Sequence, residues 1–190
     1  VQYRILHELT AARLAAAYDR LGEDKVFAFD YGDAAIKLWL PIGPSDLVQG
    51  AIMRDRSFYG ARMLEKVRAR LPMAGERVLD IGANIGNHTV FFSQICGARE
   101  VEAFEPVRLS FRALQRNAEL NGVKLIAHDC ALGARSEAGR AVVNPANLGG
   151  SHMELAADGA VKVFALDDLD VAPFRAMKID VEGWAAQVLE

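Results

Sequence analysis

Cysteine is scarce in this chain of 190 residues. Cys96 and Cys130 are the only two, too few for a disulfide framework and, alone, too few for a zinc site, so no metal is expected. Long apolar runs are missing too. None approaches the roughly 18–20 residues that cross a bilayer, which argues against a membrane partner. The opening stretch, Val1 to Tyr18, breaks its Leu and Ala with Arg4, Glu8 and Arg13 and lacks the compact apolar centre of a secretory leader. A reducing, cytoplasmic setting is the expectation. Charge of one sign is lacking as well: a net charge of −3 exerts no global pull on nucleic acid. What remains, 52% hydrophobic and 25% charged residues, is globular composition at a length that suits one sizeable core.

Charge is nevertheless uneven. From Arg54 to Arg77 seven basic residues stand against Asp55, Glu65 and Glu76, which reads as a solvated helix face rather than a dock for an anionic substrate. The chain opens with Val and stops at Glu190 inside a helical pattern, so a piece of a longer protein is expected. Residues 1–50 read as an extension. An amphipathic helix to about residue 22 places Ile5, Leu6, Leu9, Ala12, Ala16 and Leu21 near one face. A hairpin follows, Val26 to Phe29 and Ala35 to Leu40 around Asp30-Tyr31-Gly32-Asp33, closed by Pro41 and Pro44. Residues 51–190 read as the main domain. It begins with a helix from about Phe58 to Leu71, with Met63, Leu64 and Val67 toward the core, ending before Pro72.

From Arg77 the pattern alternates. Arg77–Ile81, Glu100–Glu105 and Lys124–Ala131 read as strands, and Asn87–Cys96 and Leu109–Leu120 as helices between them. Short connections in a βαβαβ rhythm imply an α/β fold: a parallel, Rossmann-like sheet with helices on both faces. Ala141–Val143 and Ala160–Ala165, joined through Asn147 to His152, read as an insertion or antiparallel hairpin. Ala176–Val181 is the fourth main strand, and a helix begins near Trp184. A sheet of four strands leaves the edge at Met177–Val181 open, so further carboxyl-terminal structure or an oligomeric partner is expected to cover it.

The chemistry concentrates at Asp80-Ile81-Gly82-Ala83-Asn84-Ile85-Gly86-Asn87. A buried strand runs into a glycine-rich turn that opens a helix, a geometry that presents backbone N–H groups to an anionic group. Dinucleotides want Gly-x-Gly-x-x-Gly, but Asn84 takes the place of the second glycine, and Asp80 would repel phosphates. A ligand carrying an ammonium and a carboxylate resolves the conflict. The ammonium meets Asp80, directly or through water, and the carboxylate takes N–H groups between Gly82 and Gly86. S-adenosylmethionine ends in such a group. Glu105, with Pro106 after it, closes the second strand where an acid can accept both ribose hydroxyls. Asp129 and the Cys130 amide follow the third strand and suit the adenine edge. At the fourth strand, alternation points Asp180 and Glu182 to one side of the same crevice, where they can hold an ammonium, accept a proton or join a metal site.

These segments, with Asn117-Ala118-Glu119-Leu120-Asn121-Gly122, Leu166-Asp167-Asp168-Leu169 and Lys178-Ile179-Asp180-Val181-Glu182-Gly183, together resemble the FkbM-type methyltransferases. Ser57-Phe58-Tyr59 resembles that family's lead-in, although Gly60 stands where the family often has Glu. The likeness runs from about residue 52 to Glu190 and is loose before it. It implies a class I S-adenosylmethionine-dependent methyltransferase acting on hydroxyl oxygens of sugars, glycans or secondary metabolites. It also implies that the family's last strands lie beyond Glu190.

Transfer to a hydroxyl calls for a base, and Asp180, Glu182 and His152 are the candidates. His152 sits in a glycine-rich loop able to fold over the site. His88, in the first helical turn, reads as a packing or capping residue. Two readings stay beside the methyltransferase: an NAD(P)-dependent oxidoreductase on a similar sheet, and a cofactor-binding module without turnover. A nucleic-acid methyltransferase is disfavoured, since the sequence has no Asn/Asp-Pro-Pro-Tyr/Phe motif.

Overall fold

The computed structural model describes residues 2–190, with side chains from Thr10 onward. The expected core face of Ile5, Leu6 and Leu9 therefore lies outside the described side chains. The first helix, α1 (Gln2–Asp19), packs Leu14, Ala17 and Tyr18 onto the core, and the Tyr18 hydroxyl donates to the Leu40 carbonyl at 2.8 Å. Strands β1 (Val26–Tyr31) and β2 (Ala34–Trp39) pair antiparallel with Tyr31 opposite Ala34, leaving the two-residue turn Gly32-Asp33. Alternation buries Phe27, Phe29, Ile36 and Leu38.

The next element, α2 (Leu47–Asp55), is absent from the sequence reading. Its cue is Asp46-x-x-Gln49, a capping pattern. Asp46 Oδ1 accepts from the Gln49 amide at 2.9 Å, and Gln49 Oε1 turns back to the amides of Ile42 and Gly43. The following helix, α3, is shorter than expected, Ala61–Arg68, because Gly60 in the left-handed region starts it late. Leu64 is buried and Val67 packs on the core, but Met63 is exposed. Phe58 lies ahead of that helix, edge-on to Phe29, Tyr31 and Phe91 with centroids 5.1–5.4 Å away.

The main sheet follows: β3 (Arg77–Ile81), α4 (Asn87–Gln94), β4 (Glu100–Phe104), α5 (Arg108–Leu120) and β5 (Leu125–His128). A second sheet is inserted, built from β6 (Ala131–Leu132), β7 (Glu137–Val142), β8 (His152–Leu155) and β9 (Val161–Phe164), with β7 antiparallel to β8 and β9. The chain then returns as β10 (Ala176–Ile179) and α6 (Ala185–Leu189). The main sheet is parallel throughout, in the order β10-β3-β4-β5. Helices α4 and α5 cover the face bearing Val78, Val101 and Ala103, while Val188 of α6 and Phe164 of β9 pack with Ile81 and Phe104 on the other. Glu100 and Glu102 interrupt an otherwise apolar β4; Arg77 pairs with both, Lys124 with Glu100 at 2.6 Å and His128 with Glu102 at 2.9 Å. Among the described residues no helix is long and apolar enough to cross a membrane.

The hairpin is bound to the sheet layer by more than apolar contact. Asn117 on α5 and Asn121 just past its end, one turn apart, offer their amides to the open edge of β2. Asn117 accepts from the Trp39 N–H at 2.5 Å and donates to its carbonyl, and Asn121 does the same for Lys37. Each side-chain amide stands in for a peptide unit of a neighbouring strand, which satisfies the edge. Hairpin, α2, α4 and the sheet thus share one core. Phe58→Ala, at the aromatic junction of these layers, is expected to cost about 3–5 kcal/mol. Urea unfolding monitored by circular dichroism checks this; a loss below about 1 kcal/mol would show that the hairpin packs independently.

Candidate functional site

Strands β3, β4 and β5 step outward in one direction, and β10 returns on the other flank of β3. The crevice outside the carboxyl ends of β3 and β10 is therefore the switch point at which doubly wound sheets take ligands. A cleft opens there in two lobes. The smaller, about 50 Å³, lies over Glu105 and Pro106 beneath Leu148 and His152. The larger, about 170 Å³, is walled by Tyr59, Asn87, His88 and Lys178. Gly82, Asn84, Gly149, Asp180 and Glu182 border both.

The turn after β3 needs its glycine. Gly82 has φ +72°, and a Cβ there would lie 2.1 Å from the Asp180 carbonyl oxygen, so the β10 end approaches bare backbone. Asn84 is also left-handed at φ +50°, a conformation that non-glycine residues adopt at a cost. Two bonds hold it: its N–H donates to Glu105 Oε2 at 2.7 Å, and its side-chain oxygen accepts from Ser110 at 3.1 Å. The expectation for the turn's five amides narrows here. The amides of Gly82 and Ala83 both donate to the Phe104 carbonyl, that of Asn84 to Glu105, and that of Gly86 to the Ala83 carbonyl. These four donors are spent within the protein and cannot hold a ligand carboxylate.

Asp80, expected to meet the cofactor ammonium directly or through water, is engaged within the protein. Its carboxylate is completely buried. Thr89 donates to Oδ2 at 2.6 Å, and the Lys178 ammonium sits 2.9 Å from Oδ1. Strand register explains the pairing, since Lys178 lies directly opposite Asp80 across the β3–β10 seam. Burial pushes the Asp80 pKa up, but Lys178 and the Thr89 hydrogen bond outweigh it and hold the group below the usual carboxylate range. Lys178 thus stands as the counter-ion of Asp80, while Oδ1 accepts no hydrogen bond among the described residues. Lys178 belongs to a quoted motif, yet its role escaped the sequence reading; aligning β10 with β3 in register would have found it.

Glu105 closes β4 as expected and is nearly inaccessible. Its Oε2 accepts from Asn84 and its Oε1 from the Val107 N–H at 2.8 Å, so one carboxylate braces the turns after β3 and β4. Each oxygen keeps a second lone pair, and the group forms the floor of the smaller lobe. Burial pushes its pKa up to about 7.

The remaining candidates divide. Asp180 and Glu182 both border the cleft, although β10 ends at Ile179 and strand alternation is not what places them. Asp129 is exposed and borders neither lobe; Cys130 is buried beside Pro106 in an apolar hollow of about 20 Å³ that shares Gly82, Pro106, Met153, Val181 and Trp184 with the smaller lobe. Trp184 does two things: it borders the smaller lobe and donates its indole N–H to the Leu132 carbonyl at 3.0 Å. His152 stands at the cleft rim, half-exposed, 3.5 Å from Glu154. The loop before it does fold over the site. Asp46 Oδ2 accepts from the Leu148 N–H at 2.7 Å, and the Leu47 N–H donates to the Ala146 carbonyl. The loop therefore roofs the smaller lobe. His88 borders the larger lobe, and burial and the Lys178 charge hold its pKa down, so it is neutral at pH 7. Its Nε2 has no hydrogen-bond partner among the described residues. Tyr59 is held at the mouth by paired bonds between its backbone and the Asn87 amide.

Residues 80–190 match the profile described as "Methyltransferase FkbM domain". No curated protein matches the chain. Among solved structures it is similar to a ribosomal protein L11 methylase from Lactobacillus delbrueckii subsp. bulgaricus, at 23% identity and TM-score 0.32, covering 36% of each chain. It is similar to M. jannaschii TYW2 in complex with AdoMet, at 16% identity and TM-score 0.36, covering 56% of this chain and 43% of that one. A tRNA m1G37 methyltransferase from M. jannaschii shares 18% identity at TM-score 0.38, over 58% of this chain and 32% of that one. The chain thus spans less than half the length of each.

The Glu105 site generates a pH prediction. With its folded pKa raised from 4.5 to about 7, the folded state binds more protons than the unfolded state across that window, so stability from this group falls as pH rises through it. Thermal melts between pH 5 and 7.5 are expected to show a shallower decline for Glu105→Gln than for the parent; identical slopes would mean that Glu105 ionises normally.

Proposed function

The chain belongs to the FkbM methyltransferase domain family, whose cofactor is S-adenosylmethionine, and we propose that its cleft binds that cofactor and passes the methyl group to a hydroxyl oxygen of a sugar, glycan or small metabolite. The observation that carries the reading is the placing of Glu105, a buried acid at the end of the second parallel strand, against the Gly82–Gly86 turn at the switch point. All of these residues lie inside the matched segment.

The donor set fits the cofactor. Glu105 has lone pairs left for two ribose hydroxyls, Pro106 and Trp184 give the smaller lobe apolar walls, and the opposed charges of Lys178 and Asp180 suit an amino-acid end. A diphosphate suits it poorly, since four of the turn's five amides are engaged and Asp180 and Glu182 border the same space. When bound, the cofactor supplies an already activated methyl group. The chain's own tasks are then to orient the acceptor, exclude water and take up a proton. The loop latched to Asp46 shuts the smaller lobe, and Tyr59 flanks the mouth through which an acceptor reaches the larger one. Asp180, Glu182 and His152 are the groups at the rim able to take the hydroxyl proton.

Calorimetry with S-adenosylhomocysteine and with NADPH tests the proposal. The parent chain is expected to bind the first and not the second, and Glu105→Ala to weaken binding by about 1–3 kcal/mol, the worth of a charge-assisted contact. Tight NADPH binding alone, or an unchanged Kd in the variant, would contradict it.

A further inference from the structure

We infer that His88 is the catalytic base of the proposed transfer, taking the proton of the acceptor hydroxyl on its Nε2 at the wall of the larger lobe. That role rests on the proposed methyl transfer to a hydroxyl and assigns its proton to a group inside the cleft rather than at the rim.

The division of the cleft places the reaction. With a nucleoside against Glu105 in the smaller lobe, the larger one is left to the acceptor, and the two meet at Gly82, Asn84, Gly149, Asp180 and Glu182. His88 borders the larger lobe, whereas His152 borders the smaller. Lys178, the cation on the same wall as His88, is engaged by Asp80 and by the Gly82 carbonyl. Asp180 and Glu182 are exposed, so water competes for their oxygens.

His88 is placed differently. Its ring lies against that of Phe92, one turn further along α4, with centroids 6.3 Å apart and planes 26° from parallel, so packing sets the direction of the imidazole. Its Nε2 is buried without a hydrogen-bond partner among the described residues, a state in which folded proteins seldom leave a polar atom unless something else completes it. Beside that nitrogen Gly60 brings no side chain, and even a Cβ built there would stand 3.9 Å away. The gap between the imidazole and the Tyr59-Gly60 turn is the way in for an acceptor hydroxyl.

The electrostatics suit a base. Burial and the Lys178 charge hold the His88 pKa below its usual value, while Asp80 and Asp180 pull it up; Tyr59 and Glu182 are the other ionisable groups around the lobe. The ring is neutral at pH 7 and, with its proton on Nδ1, presents a lone pair at Nε2. As the acceptor oxygen bonds to the methyl carbon, the C–S bonding pair stays with sulfur and the O–H proton passes to Nε2. One positive charge leaves the sulfonium and one appears on the imidazole, where the Asp80 and Asp180 carboxylates favour it. Solvent takes the proton from His88 once the product leaves.

Two measurements test this. In nitrogen-15 spectra of the chain saturated with S-adenosylhomocysteine at pH 7.5, the His88 ring, assigned by its loss in His88→Gln, is expected as the neutral Nδ1–H tautomer. Adding a mixture of methyl glycosides is expected to shift its Nε2 resonance. A proton on Nε2, or no response to the glycosides, overturns the assignment. Turnover is read with methyl-tritiated S-adenosylmethionine and the same glycosides. His88→Gln is expected to lower kcat about a hundredfold or more and to keep the S-adenosylhomocysteine Kd within about twofold. It is also expected to remove the fall in kcat that the parent shows at acid pH as His88 protonates. Parent-like kcat, or an unchanged acid limb in the variant, overturns the assignment as well. A parent that binds no S-adenosylhomocysteine refutes the cofactor reading instead, and one that binds it without turnover leaves the nitrogen spectrum to decide.

Discussion

The carboxyl edge of this sheet depends on a carboxylate that never meets solvent. Asp80 is buried on β3, and Lys178, its cross-strand neighbour on β10, neutralises it. Removing either charge alone would leave the other buried and unpaired, at a cost of several kcal/mol. The pair therefore fixes β10 against β3, and the same ammonium reaches on to the Gly82 carbonyl. Thr89 ties α4 to the pair, and the bare backbone of Gly82 lets the Asp180 carbonyl come close. Strand register, helix placement and turn geometry thus meet at one ion pair, and the cleft is their by-product.

Glu105 extends the same logic sideways. By accepting from Asn84 and Val107 it braces two successive strand-to-helix turns and pins Asn84 in a backbone conformation it would not otherwise keep. The site is thus preorganised from below. From above it is closed by the inserted sheet, whose loop hangs on the Asp46 carboxylate, and Asp46 itself caps α2. A single aspartate couples the amino-terminal layer to the cover over the cleft. The chemistry sits on β3, β4 and β10, but residues from both the amino-terminal layer and the insertion shape its access.

Much of this was legible in the residues. The βαβαβ rhythm, the glycine turn and the acid closing β4 are local patterns, and local patterns survive folding: β3, β4 and α5 lie within one residue of where periodicity places them. The failures are of another kind. Helix α2 is short, and Pro41 and Pro44 break the pattern just ahead of its Asp46 cap. The counter-ion of Asp80 lies 98 positions later, across a strand pairing that no local pattern reveals. The engagement of two turn amides is hidden too, because the Phe104 carbonyl that takes them belongs to another strand. Asp180 and Glu182 reach the cleft, though not by strand alternation, since β10 stops at Ile179. Chemistry carried by residue type was readable; occupancy of each donor and acceptor was not, because it is set by neighbours distant in sequence.

The most direct measurement is a crystal structure of the chain grown with S-adenosylhomocysteine. The account predicts ribose hydroxyls on Glu105, the sulfur over the junction of the two lobes, and the amino-acid end beside the β3–β10 seam under the 144–151 loop. Density for the nucleoside away from Glu105, or a turn between Gly82 and Gly86 that stays closed with the ligand bound elsewhere, would contradict it.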